Sequence, residues 1–171
     1  HSADVIPFAR DKGYFEGADA DFDWIKAYSP LDWTGGRFGE SRAWSFFLRA
    51  APSHPALQGV DFDGEDRSKV AAIPPWIKPE RKLSVRDLMS FMRDHFEGTA
   101  LDLSTGVGAG PYALPYRWRP LTWKHEGTEY FNERATATQQ TGFSFIAQLR
   151  ESVPDALGII WFSVDDAASS V

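Results

Sequence analysis

Residues 135–164 read ATATQQTGFSFIAQLRESVPDALGIIWFSV, and their period decides the fold. The odd positions Ala135, Ala137, Phe143, Phe145, Ala147 and Leu149 are apolar, while Thr136, Thr138, Gln140, Ser144 and Gln148 alternate with them. A two-residue period predicts a long half-buried strand over about 134–149. RESVPDAL (150–157) supplies turn residues, and GIIWFSV (158–164) reads as a second, more fully buried strand. The two are expected to form a wide antiparallel hairpin.

Upstream the period changes to that of a helix. Residues 3–12 place Val5, Phe8 and Ala9 on one face, and Gly13 stands where a left-handed C-terminal residue is expected. Over Glu40–Ala50, Trp44, Phe47, Leu48 and Ala51 recur at three- and four-residue steps until Pro52. Ser84 with Asp87 reads as a capped start for a helix running to Phe96, carrying the stripe Val85, Leu88, Met89, Met92, Phe96 and ending before Gly98. Between these helices the stretch from Pro52 to Pro79 is rich in Pro, Gly and Asp, which predicts irregular chain. Helices over 1–100 followed by strands imply an α+β arrangement, and the missing βα alternation argues against a parallel doubly wound sheet.

The 171 residues are 43% hydrophobic and 25% charged, which fits globular chain. There is no cysteine, hence no disulfide, thiolate metal site or cysteine nucleophile within these residues. A net charge of −6 works against nucleic-acid partners, and no apolar run is long enough for a membrane span. The chain opens at His1 without an initiator Met or signal-like segment and stops at Val171, so both ends are expected to be cuts.

Several local patterns bear on chemistry. The Gly-rich loop 104–111, STGVGAGP, lacks the Lys-Ser/Thr ending of a phosphate loop and reads as a place of close backbone approach. The histidines His1, His54, His95 and His125 show no metal-binding spacing, and His95 is expected on the polar face of the Ser84 helix; no metal or cofactor is implied. Asp165 and Asp166, adjacent after a strand, should diverge, one solvated and one capping a turn. In PYRWRPLTWKHEGTEYFNERATATQQ (115–140), Arg117, Arg119, the lone asparagine Asn132 and Arg134 make a polar cluster. It reads either as a solvated, salt-bridged face or as a site, since arginine forks hold carboxylates and a side-chain amide can stabilise an oxyanion.

The runs MRDHFEGTALDLSTGVGAGPYALPYRWRPLTW (92–123) and NERATATQQTGFSFIAQLRESVPDALGIIWFSVDDAASSV (132–171) resemble the dipeptidases of the N-terminal nucleophile (Ntn) hydrolase superfamily. HSADVIPFAR, YSPLDW and GESRAW are similar to the middle region of the same family, whose chains are several times longer. The resemblance implies an αββα sandwich and a processed N-terminal cysteine that attacks a peptide carbonyl, its own α-amino group acting as base. With no cysteine present, the nucleophile is expected outside this chain, which would be a central piece of the catalytic domain and inactive alone. By the same resemblance Arg134, opening a core strand, is the first candidate for the catalytic site, and Asn132 is a candidate oxyanion donor. Charge alone suggests Arg117 or Arg119 for the α-carboxylate of a dipeptide and Asp165 or Asp166 for its α-ammonium. The expected partners are a dipeptide substrate and the remaining segments of the same polypeptide. The alternative is a self-contained, acidic, aromatic-rich carbohydrate-binding module, suggested by seven Trp.

Overall fold

The computed structural model describes residues 2–60, 62, 73–117 and 122–170. Helix α1 (Val5–Asp11) is followed by α2 (Trp24–Tyr28) and α3 (Trp33–Gly35). A π-helical turn, Gly36–Glu40, leads directly into α4 (Ser41–Ala50), and α5 spans Val85–Met92. Two antiparallel hairpins follow: β1 (Thr122–His125) with β2 (Thr128–Phe131), and β3 (Phe143–Gln148) with β4 (Ile159–Val164). The chain is thus mixed helix and strand, as the change of period implies.

The helix starts follow their sequence signals. Gly13 takes φ +70° after α1, and the Ser84 hydroxyl and Asp87 carboxylate form a reciprocal capping box at α5. Trp44, Phe47 and Leu48 of α4 pack on a core of Leu57, Phe62, Ile73, Phe96, Leu101, Leu103 and Ala135.

Helix α5 stops at Met92, four residues before the expected end. Beyond it, side chains take the backbone donors that another helical turn would have used. The Asp94 carboxylate accepts from Phe96 N (3.1 Å) and Glu97 accepts from His95 N (2.9 Å). Phe96 adopts φ +66°, a costly conformation for a bulky residue, and its ring is fully buried. His95 is therefore not on a polar helix face. It is 5% exposed, its ring set perpendicular to Tyr116 at 5.8 Å between centroids, with Nδ1 3.1 Å from Glu97 Oε1.

Asp94 is the deepest charge in this region, 1% exposed. Ser45 Oγ donates to it at 2.6 Å and Arg49 pairs with it, both from α4, while its carbonyl accepts from Ala137 N at 3.0 Å. That last bond explains why the strand expected from residue 134 begins only at Phe143. Ala135 and Ala137 are buried on the helical side, and Thr141 N closes a turn on Thr138 O (2.9 Å) before β3 begins. The Ala/Thr alternation marks a bent segment bonded to the backbone just beyond α5, not ladder.

The sheet face also differs from expectation. Ser144, Ile146 and Gln148 are the half-buried side of β3, where Ile146 and Trp161 line a small cavity with Met89 and Met92 of α5. The opposite face, built from the cross-strand pairs Phe143 with Val164, Phe145 with Phe162 and Ala147 with Ile160, is apolar and exposed. Phe145 is 57% and Phe162 61% exposed, so β4 is not the fully buried strand that its composition suggests. Helices cover only one face of this hairpin among the described residues.

Two outcomes follow from these contacts. Asp94→Ala leaves the Ser45 hydroxyl and the backbone donor of Phe96 without their acceptor and Arg49 with Glu97 alone, and should lower the stability of the full protein by about 3 kcal/mol in denaturant unfolding; a loss below about 1 kcal/mol would contradict the hub role. Arg81 donates two hydrogen bonds to Asp87, which with the Ser84 contacts holds its carboxyl well below the usual carboxylate range. A depressed folded-state pKa contributes stability that is present above the unfolded pKa of about 4 and is lost as pH falls further. Asp87→Asn should therefore flatten the decline in melting temperature between about pH 5 and pH 2; parallel curves would exclude this contribution.

Candidate active site

Residues 131–137 are clamped at both ends against the helical half. At the first end the Phe131 ring meets Phe38 edge-on at 5.0 Å, and the buried Arg37 guanidinium lies 5.4 Å from the Phe131 ring centroid. Arg37 also pairs with Glu133 at 2.7 Å and donates to Phe62 O. At the second end Ala137 is bonded to Asp94. Arg134 lies between, exposed, and among the described residues it forms no hydrogen bond or ion pair. A small cleft opens here, bordered by Glu133, Arg134, Ala137 and Gln139 on one side and by Leu103 and Arg117 on the other.

Two of the residues singled out from sequence, Arg117 and Arg134, thus share one cleft. Arg117 is partly committed, because its NH1 donates to Leu103 O (2.8 Å) and Leu114 O (3.4 Å). Its guanidinium passes so close to Gly108 that a Cβ there would come within 2.7 Å of Nε. The Gly-rich loop is therefore the place of close backbone approach that its composition suggests. Asn132 is half-buried two residues before Arg134. Arg119 lies outside the described residues.

The adjacent aspartates diverge as expected. Asp165 is exposed, at φ +67°, and its carboxylate accepts from Asp166 N at 2.8 Å. Asp166 is buried, capping the final turn through Ala168 N (3.1 Å) and accepting the Tyr116 hydroxyl at 2.6 Å. That hydrogen bond, helped by burial, pushes the Tyr116 phenol above its ordinary value. Tyr116 precedes Arg117, so Asp166 braces the Arg117 wall of the cleft; Asp165 takes no part in it.

Sequence reading missed Arg42. It stands on α4 one turn after Phe38, to whose carbonyl its Nε donates at 2.6 Å. Burial, and next the neighbouring charge of Arg134, hold its pKa below the usual arginine value. An arginine in an apolar-rich helix looks like a solvated position, and only the path of residues 131–137 places it beside a second cation. Among the described residues no three His, Asp or Glu side chains converge as metal ligands would.

The family model of Peptidase family C69 matches residues 1–171. A curated relative from Salmonella dublin, named a probable dipeptidase, is 27% identical over 160 residues, covering 92% of this chain. The chain spans 30% of that relative's length. No solved structure matches. A family match that covers every residue, including both clamps and the cleft between them, is decisive: the chain belongs to Peptidase family C69, a family of cysteine peptidases.

Proposed function

We propose that this chain is a central part of a cysteine-type dipeptidase of the Ntn hydrolase kind, whose nucleophile is an N-terminal cysteine outside the 171 residues. The observation that carries the reading is a pairing: membership of a cysteine peptidase family across the whole chain, in a chain with no cysteine. The curated probable dipeptidase, of which this chain matches under a third, supports the substrate class. The family match also favours the enzyme over a self-contained glycan-binding module.

In this reading the cysteine thiol passes its proton to its own α-amino group, and the sulfur bonds to the carbonyl carbon of the dipeptide. The leaving amine takes that proton as the C–N bond breaks. Water then cleaves the thioester and releases the second amino acid. Arg134 holds the surroundings of the nucleophile and Asn132 is the candidate donor to the developing oxyanion. Arg117 or Arg119 draws the α-carboxylate by charge complementarity; Asp166, buried and bonded to Tyr116, and Asp165, outside the cleft, are not placed to take the α-ammonium there. No cofactor enters this chemistry. The open apolar face of β3 and β4 receives a second sheet from the remaining polypeptide, completing an αββα sandwich; its exposed Phe145 and Phe162 support that placement.

The purified full-length protein should hydrolyse dipeptides, and replacing its mature N-terminal cysteine by alanine should lower kcat roughly 10^3-fold or more. The 171-residue chain alone should hydrolyse none. A full-length protein inactive on every dipeptide, or active without that cysteine, would end the proposal. Arg134→Ala should reduce kcat/KM by about 10^2-fold, while unfolding free energy changes by no more than about 0.5 kcal/mol, as for an exposed side chain. A loss of stability proportionate to the loss of turnover would make Arg134 structural.

A further inference from the structure

Gly108, in the Gly-rich loop, lies against Arg117, one of the two arginines that border the cleft. A Cβ at Gly108 would stand 2.7 Å from Nε, 2.9 Å from Cζ and 3.2 Å from Nη2 of that side chain. Distances so alike are met only above the guanidinium plane, since an edge-on approach would leave Cζ farther off than both nitrogens. The glycine therefore lies against the flat face of the guanidinium and leaves its edges open.

The surroundings fix the rest of Arg117. Its Nη1 donates to Leu103 O at 2.8 Å and Leu114 O at 3.4 Å, and its carbonyl accepts from Gln139 Nε2 at 2.6 Å. Tyr116, next to it, is tied to the buried Asp166. Both side-chain bonds leave from one nitrogen, so the Nε–Nη2 edge is uncommitted among the described residues. Asp102, beside Leu103, accepts instead from Gly98 N and from Ser104, and Glu133, which also borders the cleft, pairs with Arg37. The Nε and Nη2 hydrogens point the same way and match the two oxygens of a carboxylate.

We propose that Gly108 is a positioning residue: lacking a side chain, it seats Arg117 so that the Nε–Nη2 edge receives a ligand carboxylate in the cleft shared with Arg134. Under the dipeptidase reading, on which the identity of the ligand rests, that carboxylate is the free C-terminus of the dipeptide. Gly108 is not among the glycines at positive φ, so alanine suits its backbone, and the atoms its methyl would meet belong to the end of a flexible side chain. Gly108→Ala should therefore push Arg117 out of place and leave the fold intact.

The test compares the full-length protein with Gly108→Ala, Arg117→Gln and the double variant, on a free dipeptide and on the same dipeptide with its C-terminus amidated. The wild type should favour the free dipeptide. Gly108→Ala should raise KM for it about tenfold with kcat little changed, and leave turnover of the amide as it was. In the Arg117→Gln background the same substitution should have no further effect, which a merely structural role of Gly108 would not produce. No preference in the wild type, wild-type preference retained in Gly108→Ala, or an undiminished effect of Gly108→Ala beside Arg117→Gln overturns the proposal. A wild type that cleaves no dipeptide sinks the dipeptidase reading alone, and melting temperature then judges the seat. Sodium acetate, against sodium chloride at equal ionic strength, should stabilise the wild type and neither single variant; no acetate response in the wild type overturns the seat. If Gly108→Ala does not fold, the double variant decides: folding restored there, with the free-dipeptide preference lost, upholds the seat, and no restoration overturns it. Should Arg117→Gln not fold, the preference of Gly108→Ala decides alone.

Discussion

One buried carboxylate, Asp94, ties together the helical half of this chain and the segment that borders its cleft. It receives Ser45 and Arg49 from α4, the backbone N–H of Phe96 just beyond α5, and through its carbonyl the N–H of Ala137. A charge so fully removed from water persists only when its oxygens are satisfied. Satisfying them ends α5 and forces the turn at Phe96, while the main-chain carbonyl of the same residue takes the N–H of Ala137 and holds that segment away from the sheet. The Arg37–Glu133 pair repeats the device at the other end of the segment. Between these clamps Arg134 stands exposed at the cleft, with no hydrogen bond or ion pair among the described residues. A cation so placed on an over-determined backbone meets what a preorganised anion site requires, since little ordering cost remains to be met on binding.

The second constraint is an incomplete layer. Hairpin β3–β4 rests on α5 with one face and offers six apolar side chains on the other. An isolated two-stranded hairpin is marginal in water, and a contiguous exposed apolar patch usually marks a contact surface. The chain spans 30% of the curated relative's length. The Ntn reading and the open face therefore support each other without either depending on a property of the cleft.

Legibility from sequence varied with the range of the forces involved. Ser84 and Asp87 announced the start of α5, Pro52 the end of α4, and the composition of 104–111 the close pass of Arg117 over Gly108, because caps, breakers and glycine contacts are local. The end of α5 was hidden, since the apolar stripe runs on through Phe96 while Asp94 and Glu97 capture the donors that would have extended it. Alternation from Ala135 reads as strand whatever the backbone bonds to, so its attachment to Asp94 could not be seen. Hairpin β1–β2 escaped notice because its turn carries Glu126 and Gly127, both at positive φ, where Asn-Gly or Asp-Gly would have been a clear signal. For β3 the period was right and the face inverted: burial depends on which layer is present. Arg134 and Arg117 were visible as charges, but that they share one cleft follows only from the long-range attachment of residues 131–137 to the helical half.

The account's central claim is that the Arg134 cleft is part of an active centre completed by a cysteine outside these residues. A crystal structure of the full-length protein with a non-hydrolysable dipeptide analogue tests it most directly. The account predicts the N-terminal sulfur facing the scissile carbonyl beside Arg134, the ligand seated in the cleft that Arg134 shares with Arg117, and a second sheet covering Phe145 and Phe162. A ligand bound elsewhere in the protein, with this cleft empty and remote from the thiol, would contradict it.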